Sequence, residues 1–397
     1  MKNGTIIYIG GFRFPNGNAA AKLALNYANI FSQLDYRVVL VGIDENSDTD
    51  GDERLKSKIF DYDVWNLKYD RSFRNRLCRF VSTENVVGIL SEYDDVSAVI
   101  CYNFRSVPLL RLSTYCRKNG IKVISNTTEW YGKFGQNVIL GILNSIDTAL
   151  RMYVANRCVD GLIVTSSFLK DFYKGSEVVV VPSLSEPFDR VKANDLMNVR
   201  EKVHLVYAGT PFSVGRRIRD RGMIKDRLDK TIGYLFNLFE ESYDFQFDIY
   251  GITREQYVKA LPEDEPLVDA LKEKVCFHGF MDSDVIYSAI ENADFTILVR
   301  DVSRVTLAGF PTKIAESINL GTPVLTTRIG DMERYVVEGQ TGFFFMPNND
   351  DYNISVLRKV LSMDYRGIDS MKRHCRESTV FRRESWINPI ADFLDRL

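Results

Sequence analysis

The segment F-P-T-K-I-A-E-S-I-N-L-G-T-P-V-L-T-T, Phe310 to Thr327, gathers side chains suited to a phosphorylated ligand. Pro311 fits the first position of a helix, where its missing N–H costs nothing. The helix then runs about three turns to Leu320 and ends at Gly321. Thr312 and Glu316 are four residues apart and share a face, with Lys313 beside them. Ile314, Ala315 and Ile318 turn the other way, toward a core. A helix N-terminus offers free N–H groups and partial positive charge to a phosphate, and Glu316, one turn further in, can accept hydrogen bonds from a ribose diol. The plain alternative is a surface helix with one solvated glutamate.

Three other segments carry polar groups of interest. Arg216–Lys230 (R-R-I-R-D-R-G-M-I-K-D-R-L-D-K) holds seven basic and three acidic residues. Acidic interruptions, and the absence of a basic surface interleaved with aromatics, argue against nucleic acid. Ile9-Gly10-Gly11-Phe12-Arg13-Phe14-Pro15 follows an apolar run; its glycines let backbone approach a ligand, and Asn18 can cap a helix starting near Ala19. In Ile124–Tyr131 (I-S-N-T-T-E-W-Y), Glu129 is the one carboxylate after a strand-like run, and Trp130 and Tyr131 offer flat faces to a sugar. Packing against Arg105 or Lys133 is the competing reading for Glu129.

These motifs must be held by the elements around them. Apolar runs at Thr5–Gly10, Arg37–Ile43, Val96–Cys101, Lys122–Asn126, Gly161–Thr165 and Val178–Val181 read as strands buried on both faces. Helical spacing between them, such as Leu23, Tyr27, Ile30 and Leu34, predicts a parallel α/β sheet. Residues 183–202 are polar, contain Pro187 and read as a connection. A second series follows at Val203–Gly209, Phe245–Tyr250, Lys274–Phe277, Phe295–Val299, Pro323–Thr327 and Gly342–Phe345. Two doubly wound domains result, each with its ligand side at the carboxyl ends of its strands, and a cleft between them is the expected site. Residues 137–158 add an apolar-rich helix with Val138, Ile142, Ile146 and Ala149 on one face. Core packing is the first reading of that face, and docking to a lipid-linked molecule at a membrane surface the second.

Composition narrows the class. With 397 residues, 51 basic and 53 acidic, the formal charge is −2, which speaks against a nucleic-acid coat or a polybasic anchor. No apolar run reaches the ~18 residues of a membrane span, and the N-terminal sequence goes straight into a strand without signal-peptide features. Six scattered cysteines and three distant histidines give no disulfide framework and no zinc pattern. The expectation is a cytoplasmic protein without bound metal or cofactor.

Phe310–Thr327, together with G-D-M-E-R-Y-V-V-E-G-Q-T-G-F-F at Gly330–Phe344, resembles the donor-binding half of GT-B glycosyltransferases, with family 4, the retaining enzymes, the nearest in pattern. The likeness spans nearly the whole chain and is most specific from about 275 to 345. It implies a GT-B α/β fold: two Rossmann-like doubly wound parallel-sheet domains, residues 1–190 for the acceptor and 200–380 for the nucleotide-sugar donor, with a last helix near 381–397 packing back on the first. By this resemblance Glu316 matches the second glutamate of a Glu-x7-Glu motif and binds ribose. The first glutamate is absent, its place taken by Ala308, as in capsule and O-antigen transferases that carry F-P-T-K. Gly309, Thr312 and Lys313 complete the donor loop. Lys225 is the best match to the diphosphate-binding cation, with Asp226 as a cap for its helix and Arg217 as a second cation. Phe280 and Met281 match a base-contacting turn. Gly10 and Gly11 face phosphates and acceptor, and Glu129 stands where relatives often place a catalytic histidine. Arg300 and Arg304, flanking the missing glutamate, are read as surface or phosphate residues alike.

The implied reaction moves a sugar from a nucleotide diphosphate sugar to a saccharide or lipid-linked saccharide, with retention and without metal, Glu129 and Lys225 being the catalytic candidates. The implied partners are that donor and acceptor and a peripheral contact with the inner membrane face, with no nucleic acid. Two rivals share the fold: a nucleotide-sugar 2-epimerase, which would need more acid–base residues in these loops, and a non-catalytic nucleotide-sugar-binding subunit, which the missing glutamate and histidine favour.

Overall fold

The computed structural model of the chain describes residues 3–14, 18–44, 54–68, 82–131, 138–185 and 202–397. Pro15, Cys78, Lys133 and most of the polar connection, including Pro187, lie outside the described residues. The chain forms two compact units. The first comprises Met1–Ser185, Ala308–Phe310 and Arg382–Leu397; the second comprises Glu186–Leu307 and Pro311–Phe381.

Among the described residues the first unit holds eight strands: β1 (Thr5–Ile9), β2 (Arg37–Asp44), β3 (Arg54–Ile59), β4 (Tyr62–Lys68), β5 (Val96–Tyr102), β6 (Lys122–Thr127), β7 (Gly161–Val164) and β8 (Val178–Val180). Their order is β3-β4-β2-β1-β5-β6-β7-β8. All pairs are parallel except β3 with β4. Alternate residues of the central strands feed separate cores. Ile6, Tyr8, Val38 and Leu40 enter one, and Ile7, Ile9, Val39 and Val41 the other, the consequence of side chains alternating across a strand covered on both faces. The β3–β4 hairpin escapes a search for apolar runs. Lys56 and Lys58 alternate along an edge strand, and the turn places Phe60 at φ 52°. Charged edges of this kind discourage pairing with other chains.

The second unit is a six-stranded parallel sheet of β9 (Val203–Ala208), β10 (Phe245–Tyr250), β11 (Val275–Gly279), β12 (Phe295–Leu298), β13 (Val324–Thr327) and β14 (Gly342–Phe345). The order is β11-β10-β9-β12-β13-β14. The chain therefore winds outward from β9 in one direction, returns, and winds outward from β12 in the other. The carboxyl ends of β9 and β12 flank the point where the winding reverses, the usual ligand position in such sheets. The helix Ile387–Asp395 belongs to the first unit, where Ile390 and Phe393 enter the core of β1 and β2.

The helix Val138–Tyr153 corrects the core-packing reading of its apolar face. Ile142 (56% exposed) and Ile146 (51%) lie on the surface, with Leu150, Tyr153 and Val154 also exposed. Thr148, Arg151 and Met152 are the buried side. Polar bonds make that inversion possible: Asp147 accepts from the backbone N and Oγ of Ser106 (2.9 and 2.8 Å), and Arg151 Nη2 donates to the Glu129 carbonyl at 3.2 Å. Among the described residues no helix is long and apolar enough to cross a membrane.

Candidate functional site

At the carboxyl end of β9 the chain passes through Tyr207 and Ala208 into Gly209, which adopts φ +147°. A side chain there would collide with Lys313 Nζ, and one on neighbouring Gly251 would come within 2.6 Å of the Gly209 carbonyl oxygen. Glycine is thus required by close approach as well as by backbone conformation. Lys313 extends from the first turn of the helix Thr312–Asn319 and lays its ammonium over the Tyr207 ring, 4.6 Å from the centroid. It donates to Tyr207 Oη at 3.2 Å and pairs with Asp226.

Asp226 does not cap a helix. The helix that follows starts at Leu228, Arg227 occupies the cap position, and that position makes no side-chain capping bond. The Asp226 side chain is instead almost fully buried (3% exposed). Its Oδ1 accepts from Arg300 Nε at 2.7 Å, and its Oδ2 accepts from Tyr207 Oη at 2.9 Å and from Lys313. Burial alone would raise this carboxyl's pKa; Lys313 and Arg300 overcome it and hold the group well below the usual carboxylate range. The Tyr207 phenol is pushed well above its ordinary value by burial and by Asp226. Lys313 is drawn down by burial and by the positive charge of Arg300 and Lys225, with Asp226 opposing.

Arg300 lies two residues beyond the apolar strand β12 and is buried, which removes the surface reading. Its backbone N–H donates to Thr327 Oγ1 at 3.0 Å. Arg304 is exposed. Lys225 is exposed and close enough to Lys313 to act on its charge. Most of the basic run around it has structural partners. Arg217, exposed, pairs with Glu263; Arg221 with Asp264 (2.5 Å) and Asp229 (3.2 Å); Arg227 with Asp229 (2.8 Å) and Asp301; Lys230 with Asp301 (3.0 Å). The ion pair of Arg217 is thus with Glu263 and not with Asp226.

In the helix Thr312–Asn319, Ile314, Ala315, Ser317 and Ile318 are buried. Thr312, Lys313 and Glu316 are half-buried on the other side. Pro311 is the residue before the first turn rather than within it, with extended backbone at φ −74°, ψ 121°. Gly321 ends the segment at φ +80°, where a side chain would meet Arg376. After β11, Gly279 turns the chain at φ +70° and leaves Phe280 88% exposed, with Met281 also on the surface.

Ala308 and Gly309 belong to the first unit. Ala308 is fully buried in a cluster with Trp130, Met152, Leu162, Val164, Leu169 and Tyr173. Its carbonyl accepts from Thr165 Oγ1 (3.2 Å) and Ser166 Oγ (2.9 Å). The position of the missing glutamate is therefore a packing position. In the same unit Gly10 lies against the Phe12 ring, where a Cβ would approach within 2.6 Å, whereas Gly11 has open space around it. Asn18 caps the helix Ala19–Gln33 by accepting from Ala21 N at 2.9 Å, and its Nδ2 donates to the Gly11 carbonyl at 2.8 Å. Glu129 follows β6 and is half-buried. Trp130 is no sugar platform: it is buried in edge-on contact with Tyr153, Phe168 and Phe172. Tyr131 remains partly exposed, with the Arg151 guanidinium 4.8 Å from its ring centroid.

Sequence reasoning gave Asp226 the wrong task and did not single out Tyr207. The available signal was an arginine just after a buried apolar strand, which needs a buried acid to hold it.

Residues 227–378 match the family model described as glycosyl transferases group 1. No curated protein matches the chain. Among solved structures, the catalytic domain of starch synthase IV from Arabidopsis thaliana, bound to ADP and acarbose, has a TM-score of 0.69 at 11% identity, covering 99% of each chain. Sucrose-phosphate synthase from Thermosynechococcus elongatus gives 0.66 at 15%, covering 99% of this chain and 98% of that one. Anabaena HepE in complex with UDP gives 0.61 at 14%, covering 100% of both. The chain thus has the two-domain α/β GT-B fold along its full length, and its second unit carries the match to group 1 glycosyl transferases.

Proposed function

We propose that the protein is a glycosyltransferase that moves a sugar from a nucleotide diphosphate sugar to a saccharide or lipid-linked saccharide acceptor, with retention at the anomeric carbon and without a metal ion. The observation that carries this reading is the placement of Lys225, Lys313 and Arg300 around the carboxyl ends of β9 and β12, within or beside the segment matched by the family model. The nucleotides named with the starch synthase and HepE structures, ADP and UDP, support a nucleoside diphosphate as the ligand class.

In the proposed reaction the acceptor hydroxyl attacks the anomeric carbon on the face that the diphosphate leaves. The bond from that carbon to the β-phosphate oxygen breaks as the new glycosidic bond forms. The hydroxyl proton passes to the departing diphosphate. Lys225, Lys313 and Arg300 stabilise the charge that develops there, and such preorganised charge is the largest single contribution in many enzymes. Glu316 holds the ribose, Phe280 and Met281 lie beside the base, and Thr312 with Gly309 shapes the donor loop. Gly10 and Gly11 admit phosphates or acceptor, and Glu129 orients the acceptor hydroxyl. Arg217 is left to its pair with Glu263.

A peripheral membrane contact through Ile142, Ile146, Leu150, Tyr153 and Val154 belongs to the same reading, since a lipid-linked acceptor is presented at a bilayer surface. Burial of Ala308 where a donor-sugar glutamate is expected favours, as a second reading, a subunit that binds nucleotide sugar without transferring it. Product analysis with a panel of UDP-, GDP- and ADP-sugars separates the readings: transferred sugar supports the first, free epimer an epimerase, and binding alone the second.

A further inference from the structure

We propose that Asp226 is the positioning residue of the diphosphate site: its buried carboxylate holds Lys313 on one oxygen and Arg300 on the other, and so fixes where their charge meets the phosphates. The inference rests on the nucleotide reading above. It adds to that reading an acid that would never touch substrate and would instead set the place of two cations that do.

The first support is the balance of charge. Lys313 and Arg300 both bond a single buried carboxylate. Asp229 and Asp301 nearby are engaged by other cations, Asp229 by Arg221 and Arg227 and Asp301 by Arg227 and Lys230. Asp226, Lys313 and Arg300 together carry one positive charge in excess. A buried ion pair contributes little to stability even when balanced. An unbalanced cluster at strand ends is better explained by an anion that completes it, as the phosphates of a nucleoside diphosphate would.

The second support is geometry. One Asp226 oxygen takes Arg300 from beyond β12, and the other takes Tyr207 from the end of β9 and Lys313 from the helix Thr312–Asn319. The carboxylate thus bridges the two strand ends where the winding reverses. The Tyr207 ring beneath the ammonium and the bare Gly209 beside it leave Lys313 one course toward Asp226. A lysine side chain is otherwise a flexible point charge; here both the flat support and the anchor are supplied.

The third support is protonation. The charged or titratable groups facing Lys313 are Tyr207 on β9, Lys225 and Asp226 before the helix at Leu228, and Arg300 after β12. Of these, Asp226 favours the ammonium form, while the two cations oppose it. Removing the carboxylate should therefore cost Lys313 its place and weaken its hold on its proton.

The test is calorimetric titration of the full-length chain with UDP, GDP and ADP between pH 7 and pH 9. The tightest ligand is carried forward with its parent nucleoside as control. In Asp226→Asn, diphosphate affinity should fall about tenfold or more below wild type by pH 9, while nucleoside affinity stays within about twofold, because only contacts to the charged phosphates are lost. Lys313→Met should show a loss of similar size without the pH dependence. The double variant should lose no more than Lys313→Met, since two residues acting as one unit are non-additive. Diphosphate affinity of Asp226→Asn within twofold of wild type across the range overturns the proposal. So do equal losses for nucleoside and diphosphate, which mark a structural role. Where Asp226→Asn does not fold, Lys313→Met carries the test, and unchanged diphosphate affinity there overturns it too. A wild-type chain that binds none of the three diphosphates removes the nucleotide reading itself, and this inference with it.

Discussion

Two carboxylates, Asp226 and Glu129, follow strands or precede helices in similar sequence settings, yet their surroundings separate them. Asp226 is sealed among Arg300, Lys313 and Tyr207. Glu129 is half-buried, and its backbone carbonyl anchors Arg151. A group that must touch an acceptor needs the second kind of setting. Replacing Glu129 with Gln keeps the shape and removes the charge. Sugar transfer should then fall by about 10²-fold or more, the scale of a positioned acid–base group, with nucleoside diphosphate affinity intact. A Glu129→Gln protein that melts earlier but transfers at full rate when cold would make the residue structural.

At the scale of elements, the strand ends of the second unit are set by glycines. Gly209, Gly251 and Gly279 end or follow β9, β10 and β11, and all take positive φ. Gly209→Ala forces a Cβ against Lys313 Nζ at φ +147°. It should destabilise the protein by about 1–3 kcal/mol through backbone strain and weaken nucleoside diphosphate binding as Lys313 is displaced. Thermal melting and titration of the same preparation check both.

A second element-scale feature lies on one face of β9, β10 and β11. Asp248 there receives His204 at 2.6 Å, His278 at 3.0 Å and Gln246 at 3.2 Å. Burial would raise this carboxyl, but the hydrogen bonds from the two histidines and the glutamine reverse the effect and bring it down to about 2. A carboxyl depressed in the folded state contributes stability above its ordinary value near 3.8, and that contribution is lost as pH falls toward 2. Acid unfolding of wild type should therefore include a component between about pH 4 and pH 2 that Asp248→Asn lacks, measured by circular dichroism against pH. An identical acid transition in the variant would contradict it.

The strands of both sheets were legible wherever burial on two faces made them continuous in Val, Ile and Phe, as in β1, β9 and β14. The β3–β4 hairpin was not, because an edge strand alternates charge with small and apolar residues. The helix Thr312–Asn319 announced its inner face through Ile314, Ala315 and Ile318. Asp226 could not be assigned from its neighbours in sequence, since its partners come from residues 74 and 87 positions away. The helix Val138–Tyr153 misled for a related reason. Periodicity finds an apolar face but does not say whether it packs on protein or faces outward.

At the scale of the whole molecule, the net charge of −2 offers no global attraction to an anionic surface, so the proposed membrane contact rests on the exposed stripe Ile142, Ile146 and Leu150 of one helix. Purified protein should co-sediment with phospholipid vesicles. Ile142→Glu with Ile146→Glu should weaken that binding by about tenfold or more, because each buried isoleucine is worth roughly 1.5–3 kcal/mol. Nucleotide affinity should be unchanged. Equal sedimentation of both proteins would remove the membrane contact.

The central claim, that the second unit binds a nucleoside diphosphate through Glu316 and the cations at the ends of β9 and β12, is tested most directly by calorimetric titration of wild type and Glu316→Ala with UDP, GDP and ADP. Wild type should bind at least one of them. Glu316→Ala should weaken that ligand by roughly 1.5–3 kcal/mol, the range for hydrogen bonds to a charged group, with its melting temperature little changed. Failure of wild type to bind any of the three, or an unaltered affinity in Glu316→Ala, would contradict the claim.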